Sequence, residues 1–282
     1  MSRFRFAPYP ILAALLALSA CGAPAPKPTT DTVEQIAPVE QLYNNGLDAL
    51  NARRYATAID QFNSVEQNYP YSPWAVNAQL MSGYTAYLQN KYTDALATLD
   101  RFIQLHPSHR DIAYAYYLRA LCYYEQIADI QRDQRGTEQA MNALREVVTR
   151  FPDSSYARDA QLKIDLCVDH LAGKEMEIGR YYQKQHLYTA AIGRFQRVVD
   201  DFQTTNHVPE ALARLVEIYL ALGLKDEARR TAAVLGYNYP GSIWYQDTYN
   251  QLADDGIAVP SNSKPVEGQS PGFFSRAWHA VF

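Results

Sequence analysis

A 37-residue period constrains this chain more than any other feature. Tyr55 and Tyr92, Ala58 and Ala95, Ile59 and Leu96, Phe62 and Leu99, Val65 and Phe102, and Pro70 and Pro107 all stand 37 residues apart, as do Gly46 and Gly83. The pattern returns at residues 137–152 and 188–203 and more faintly at 225–240, making five copies. Each copy spaces its apolar residues three or four apart, the spacing of one helix face. Most finish at a proline, which cannot continue a helix. The segment before each copy, such as AQLMSGYTAYL, is helical by the same test. The unit is therefore a pair of antiparallel helices, used repeatedly.

Gly or Ala at positions 46, 83, 120 and 179 is expected to let the first helix lie close to Ala58, Ala95, Ala140 and Ala191 on the second. These small residues, the Tyr-x-x-Ala start and the closing proline resemble the tetratricopeptide repeat over about residues 39–250. The resemblance implies an all-α, right-handed solenoid of five repeats. Two departures from the period are informative. Eight extra residues between Pro107 and Pro152, within ADIQRDQRGTEQ, read as a loop inside repeat three. Fourteen extra between Pro152 and Gln203 are close to four helical turns, so a helix absorbs them without rotating its apolar face. This predicts one long helix over roughly 155–185 in the fourth repeat, with Gly173 as its weak point. The repeats divide into an N-terminal half, 39–157, and a C-terminal half, 158–253.

The ends read differently. The apolar run in ILAALLALSACGAP has about half the length a membrane-spanning helix requires. With Arg3 and Arg5 before it and small residues after it, residues 1–20 read as a signal peptide. LSAC resembles the bacterial lipobox, which makes Cys21 the lipidated N-terminus and residues 21–38 its tether; the alternative is an ordinary signal peptide cut near a cysteine. Residues 254–282 form a tail whose Pro, Ser and Gly content is that of a linker. Its FFSRAWHAVF stretch is either a partly ordered end or a partner-binding segment. Cys122 and Cys167 are too few for a disulfide framework, so buried free thiols are expected, with a single bridge as the alternative.

Charge narrows the function classes. The chain carries a net −4, near −6 once Arg3 and Arg5 are removed with the leader, which argues for a protein partner over nucleic acid. The sequence contains no glycine-rich phosphate loop and no H-E-x-x-H. No enzyme, cofactor or metal is expected. His106 and His109 form a close pair, but His106 also fills the slot held by Tyr69 and Phe151, and Asp200 and Asp201 read as solvated. Recognition is the better candidate. Among 22 tyrosines, Tyr84, Tyr87, Tyr114, Tyr117 and Tyr124 lie on first helices, where stacked pairs line a groove. An aromatic-lined groove suits an extended peptide; the alternative is that these rings pack between repeats.

With lipobox, tether and five repeats, the chain resembles the BamD family of lipoproteins. NYPYSPWAVNAQLM, LDRFIQLHPSHRDIAYAYYLRAL, the QRDQRGTEQAMNALREVVTRFPDSSYA insertion and the long fourth-repeat helix carry the resemblance. It implies an outer-membrane-anchored periplasmic scaffold of the BAM complex that assists insertion of β-barrel proteins. The first three repeats would bind unfolded outer-membrane protein segments, and the last two a BamA-like barrel subunit, alongside other BAM lipoproteins. Gly22 beside Cys21 lacks the aspartate that retains lipoproteins in the inner membrane, which implies the outer membrane. Arg194 lies one step off the stripe Ala191, Ile192, Phe195 and Val198, so it is expected to be partly exposed and free to reach a partner. By resemblance it is the arginine that meets the barrel subunit; the alternative is a solvated arginine paired with a neighbour such as Asp201. A second function class stays open, a periplasmic repeat lipoprotein coordinating peptidoglycan or envelope processes.

Overall fold

The structure, a computed structural model, describes residues 37–257. Among these residues it contains helices and no strand: α1 Val39–Asn51, α2 Tyr55–Asn68, α3 Pro73–Leu88, α4 Tyr92–Leu105, α5 Ile112–Tyr124, α6 Arg135–Arg150, α7 Ser155–Lys184, α8 Tyr188–Asp201, α9 Val208–Ala221, α10 Lys225–Asn238 and α11 Ile243–Asp254. Consecutive helices pack in antiparallel pairs, the arrangement of a tetratricopeptide solenoid, and α11 follows the fifth pair. The leader, Cys21 and the tail beyond residue 257 lie outside the described residues, and none of the described helices is long and apolar enough to cross a membrane.

Local chemistry sets the helix ends. Tyr69, His106, Phe151 and Tyr239 leave their helices at φ between −134° and −128°. Each precedes a proline, whose ring disfavours the α region for the residue before it. Phe202 adopts nearly the same shape ahead of Gln203, so the turn does not depend on proline. Two or three residues later a serine caps the next helix: Ser72, Ser154 and Ser242 accept from the N–H groups of Trp74, Ala157 and Tyr245 at 3.1, 3.3 and 3.2 Å. Within a pair the turn is left-handed at Arg53, Asn90, His186 and Gly223. The next N–H reaches back five residues, as from Arg54 to the Ala49 carbonyl at 2.8 Å, which is the Schellman closure. His106 and His109 are accounted for here: both rings pack against Phe102, at 5.4 and 5.3 Å, and His109 Nδ1 accepts from the Asp111 N–H.

The small residues of the first helices do fit close packing, but against a different neighbour from the one expected. A Cβ on Gly46 or Gly179 would lie 2.5 Å from the ring of Phe62 or Phe195, and one on Gly83 would lie 3.1 Å from Leu99. The missing side chain therefore admits the large residue four positions beyond the repeat alanine, not the alanine itself. Ala120 and Leu144 share one core cluster in the same way. In repeat five the sizes are exchanged, with Val216 opposite the small Ala232 in a common cluster. Close packing tolerates either order provided the summed volume is kept.

Both period departures appear where expected. Residues 125–134 connect α5 to α6, and α7 is a single helix of 30 residues. Gly173 does not interrupt the helix. Its bare backbone instead seats the Ile130 side chain from the inserted loop, with His207 Nε2 3.3 Å from where a Cβ would stand. His170 Nε2 meets the Ala128 carbonyl at 3.0 Å and Lys174 donates to the Gln131 carbonyl at 2.9 Å, pinning the loop on either side. Cys122 and Cys167 are buried and unbridged, and burial pushes their thiols up to about 12 and about 11.

Candidate functional site

Two surfaces carry the expected site residues, and they are chemically unlike. The first spans α3, α5 and the start of α7. Tyrosines one turn apart on a helix project on the same side, so Tyr84 with Tyr87 and Tyr114 with Tyr117 form two adjoining ranks. Ring centroids are 6.3 Å apart for Tyr84 and Tyr114, 5.4 Å for Tyr114 and Tyr156, and 5.2 Å for Tyr156 and Tyr117, the last pair stacked at 25°. Tyr87 lies 6.0 Å from Tyr92, and the Lys163 ammonium sits 5.1 Å over the Tyr124 ring. All five expected tyrosines are half-buried. They pack between successive first helices and still present part of each ring, so the two readings of the sequence coexist. Sequence reasoning does not single out Tyr156; its place one turn before Asp159 at the start of a first helix is the available signal.

Two hydroxyls of this face have carboxylate partners. Tyr117 donates to Asp159, and Tyr87 donates to Glu125 Oε1 at 3.3 Å. Burial, reinforced by Glu125, pushes the Tyr87 phenol up to about 12. Burial also raises Tyr114 and, together with Asp159, Tyr117. These phenols stay neutral at physiological pH. No charged side chain lies on α3, and the one on α5, Arg119, turns to Asp100 and Glu146. What remains is an aromatic surface with Asp159, Lys163 and Glu125 at its edges.

The second surface spans the end of α7 with α8, α9 and α11. Arg180 Nη1 reaches both carboxylate oxygens of Glu210, at 2.9 and 3.0 Å. Arg214 lies 3.0 Å from Glu217 and 3.5 Å from Glu210, with its guanidinium 5.1 Å over the Trp244 ring, and Gln183 donates to Glu217 at 2.8 Å. Beside them, Arg194 Nη1 donates to Glu175 Oε2 at 2.9 Å while Arg197 Nη1 takes Oε1 of the same carboxylate at 3.0 Å. Hydrogen bonding to Glu175 raises the Arg194 pKa above the usual arginine value.

This corrects the expectation for Arg194 in two respects. The side chain is 36% exposed, but its guanidinium is engaged by Glu175 and not free. Asp201, the anticipated neighbour, pairs instead with Arg197, at 3.5 Å. Nineteen residues separate Glu175 from Arg194 across a helix turn, and no local spacing rule connects them. Among the described residues no group of three or more His, Cys, Asp or Glu is placed to hold a metal ion.

The outer membrane lipoprotein family YfiO matches residues 35–235. The chain is 51% identical over 249 residues to the outer membrane protein assembly factor BamD of Caulobacter vibrioides, covering 88% of this chain and 81% of the relative. It is 47% identical over 223 residues to BamD of Rickettsia prowazekii, covering 79% and 89%. Among solved structures, a thermophilic TPR protein of Thermus thermophilus aligns over 77% of this chain and 98% of that one, at 19% identity and a TM-score of 0.36. The matched span holds both the aromatic face and the Arg194 cluster, and by that match and those identities the chain belongs to the YfiO family of outer membrane lipoproteins, together with the assembly factors named BamD.

Proposed function

We propose that this protein is an outer membrane protein assembly factor, a periplasmic scaffold of the BAM complex that acts by binding and not by catalysis. The observation that carries this is the identity to BamD of Caulobacter vibrioides, 51% across 88% of the chain. In this reading Cys21, outside the described residues, carries the lipid that fastens the scaffold to the periplasmic face of the outer membrane. One acyl chain gives marginal anchoring, whereas several on one cysteine hold firmly. Residues 39–157 and 158–253 form two working halves. The face of Tyr84, Tyr87, Tyr114, Tyr117 and Tyr124 receives extended segments of unfolded outer-membrane proteins, since half-exposed rings offer large contact area at low entropic cost. Arg194 meets a BamA-like barrel subunit, and other BAM lipoproteins complete the assembly.

The test is purification of the tagged protein in mild detergent with identification of what accompanies it. Recovery of a barrel-forming subunit is the expected result. Peptidoglycan-synthesising or constriction proteins in its place would favour the alternative of an envelope-coordinating repeat lipoprotein. A Cys21→Ala variant is expected to fold and to leave the outer membrane fraction when no assembly partner is present; if it stays, the anchor lies elsewhere.

A further inference from the structure

α11 has both ends of a first helix and no second helix after it among the described residues. It starts as α3 and α7 do, with an aromatic and a proline ahead of it, Tyr239 and Pro240, and a serine cap, Ser242, that accepts from the Tyr245 N–H at 3.2 Å. Its other end is that of a tightly joined pair. Gly256 is left-handed at φ 69°, and the Ile257 N–H reaches back to the Leu252 carbonyl at 2.9 Å, as the N–H groups of Arg54, Lys91, Leu187 and Leu224 reach back at 2.8–3.0 Å just before a second helix. Ile257 is half-buried against the cluster of Leu252, Ala228 and Ala232. The turn that launches a second helix is therefore already made.

The face such a helix would cover is open. Fourteen residues after Tyr69, His106 and Phe202 stand Gly83, Ala120 and Val216, all buried, and they pack with Leu99, Leu144 and Ala232 of their second helices. The same step from Phe151 reaches Asp165, which is exposed, because α8 packs at Gly179 on the later half of α7. From Tyr239 it reaches Ala253, exposed as well. Exposure at this position thus goes with the absence of a second helix. Asp165 suits water, whereas Ala253 is the small residue that a packed pair uses.

We infer that residues 274–282 are the second helix of a sixth pair and dock on α11 over Ala253. Phe274, Ala277, Trp278 and Val281 repeat the spacing of Tyr188, Ala191, Ile192 and Phe195, and that of Tyr55, Ala58, Ile59 and Phe62. In those two helices the alanine and the last residue are 1% exposed or less. Ala253 with Val281 offers the same pair of side chains as Val216 with Ala232, so the summed volume is kept. Ala277 stands 21 residues after Gly256 where the tight pairs use five, and the added stretch holds Pro260, Pro265 and Pro271, which keep it out of a helix. Repeat three carries an insertion at the same place, between α5 and α6. Charge agrees with the orientation: an antiparallel return sets Arg276, near the start of the segment, beside the exposed Asp254 and Asp255 at the end of α11. A helix this short is marginal alone and needs a face to pack on. The last unit of a stacked array in turn needs a cap.

Disulfide trapping in the full-length protein in mild detergent is the test, since Cys122 and Cys167 are buried and unbridged. Ala253→Cys is combined either with Val281→Cys, on the apolar stripe, or with His279→Cys, on the opposite side of the same helix. The Val281 combination is expected to oxidise within one molecule at least roughly tenfold faster, because only it brings the two sulfurs within bonding geometry. Tyr249→Cys, one turn back on the same face of α11, covers the adjacent register. Equal or undetectable rates for Val281→Cys and His279→Cys in both registers would overturn the inference. Bonds that form only between two molecules would seat the segment on a second copy and overturn it too. Removal of residues 273–282, and Trp278→Asp in the intact chain, are each expected to lower the melting temperature by about 2–4 °C and to speed hydrogen exchange in α11. His279→Gln should leave both unchanged. Melting and exchange unaltered by the removal would likewise rule out the docking.

Discussion

Repeats two and three differ from repeats four and five in what their first helices present, although both regions are built on the same backbone unit. The former offer Tyr84, Tyr114, Tyr117 and Tyr156 in a ladder of rings with no charged side chain on α3. The latter offer Arg180, Glu210, Arg214 and Glu217 in a continuous ion-pair network, with Trp244 beneath Arg214. Apolar ring contact is non-directional and insensitive to salt. Ion pairs are directional, exchangeable and screened by salt. One scaffold thus carries an aromatic surface and an ionic one.

The sharpest way to break this comparison is to attack what the two regions share. Gly83→Leu and Gly179→Leu both force a side chain into Leu99 or Phe195, and each is expected to lower stability by about 1–3 kcal/mol. Gly193→Leu, at an exposed position inside α8 where no atom lies within 4 Å, should instead raise it by about 0.5–1 kcal/mol. Denaturant melts of the three variants check this; a neutral Gly83→Leu would mean that the repeat register is misplaced.

Charge reversal probes the ionic region alone. Arg194→Glu sets a second carboxylate against Glu175, so it should lower stability by about 1–2 kcal/mol, more than an exposed substitution would. High salt should recover part of that loss by screening the like charges. Thermal melts at low and high salt measure both effects, and a variant as stable as wild type would show that Arg194 and Glu175 are not paired in solution.

The aromatic region is probed through its hydroxyls. Tyr117→Phe removes the hydrogen bond to Asp159, which keeps Lys163 at 3.4 Å, and should cost about 0.5–1.5 kcal/mol with little salt dependence. Alkali acts in the same region. Tyr87 has a folded-state pKa of about 12, above the ordinary 10.0, so its contribution is complete below about pH 10 and is lost as pH rises towards 12. Melting temperature against pH should therefore fall more steeply in wild type than in Tyr87→Phe above about pH 10; parallel curves would place Tyr87 outside the folded packing. The smallest effect belongs to a turn: Arg53 sits at φ 57°, and Arg53→Gly should raise stability by about 0.5–1 kcal/mol through relief of left-handed strain, read as a higher midpoint in urea.

How far the sequence can be read differs between these surfaces for a physical reason. The tyrosines belong to helices whose faces follow from spacing, so their common side is visible in Tyr84 with Tyr87 and Tyr114 with Tyr117. Tyr156 escapes notice because its partner Tyr117 lies far away in the chain, across a helix pair. The exposure of Arg194 follows from its position one step off the buried stripe. Its partner does not, because Asp201 and Glu175 are both within reach of a long side chain and only the packing angle of α8 on α7 chooses between them. Gly173 misleads for a related reason: helix propensity scores it as a defect, while the loop residue Ile130 that needs the vacancy lies in another repeat element.

By itself, the sequence determined the helix pairs, their number, the inserted loop and the 30-residue helix, because these depend on contacts three or four residues apart and on turn chemistry carried by prolines and serines. Tertiary structure alone decided that Gly46 and Gly179 face Phe62 and Phe195, that Arg180 joins Glu210 across 30 residues, and that Glu175 is shared by Arg194 and Arg197. Such pairings are chosen by how closely one helix settles on the next, and that depends on the summed volumes and charges of both faces, which no single stretch of chain contains.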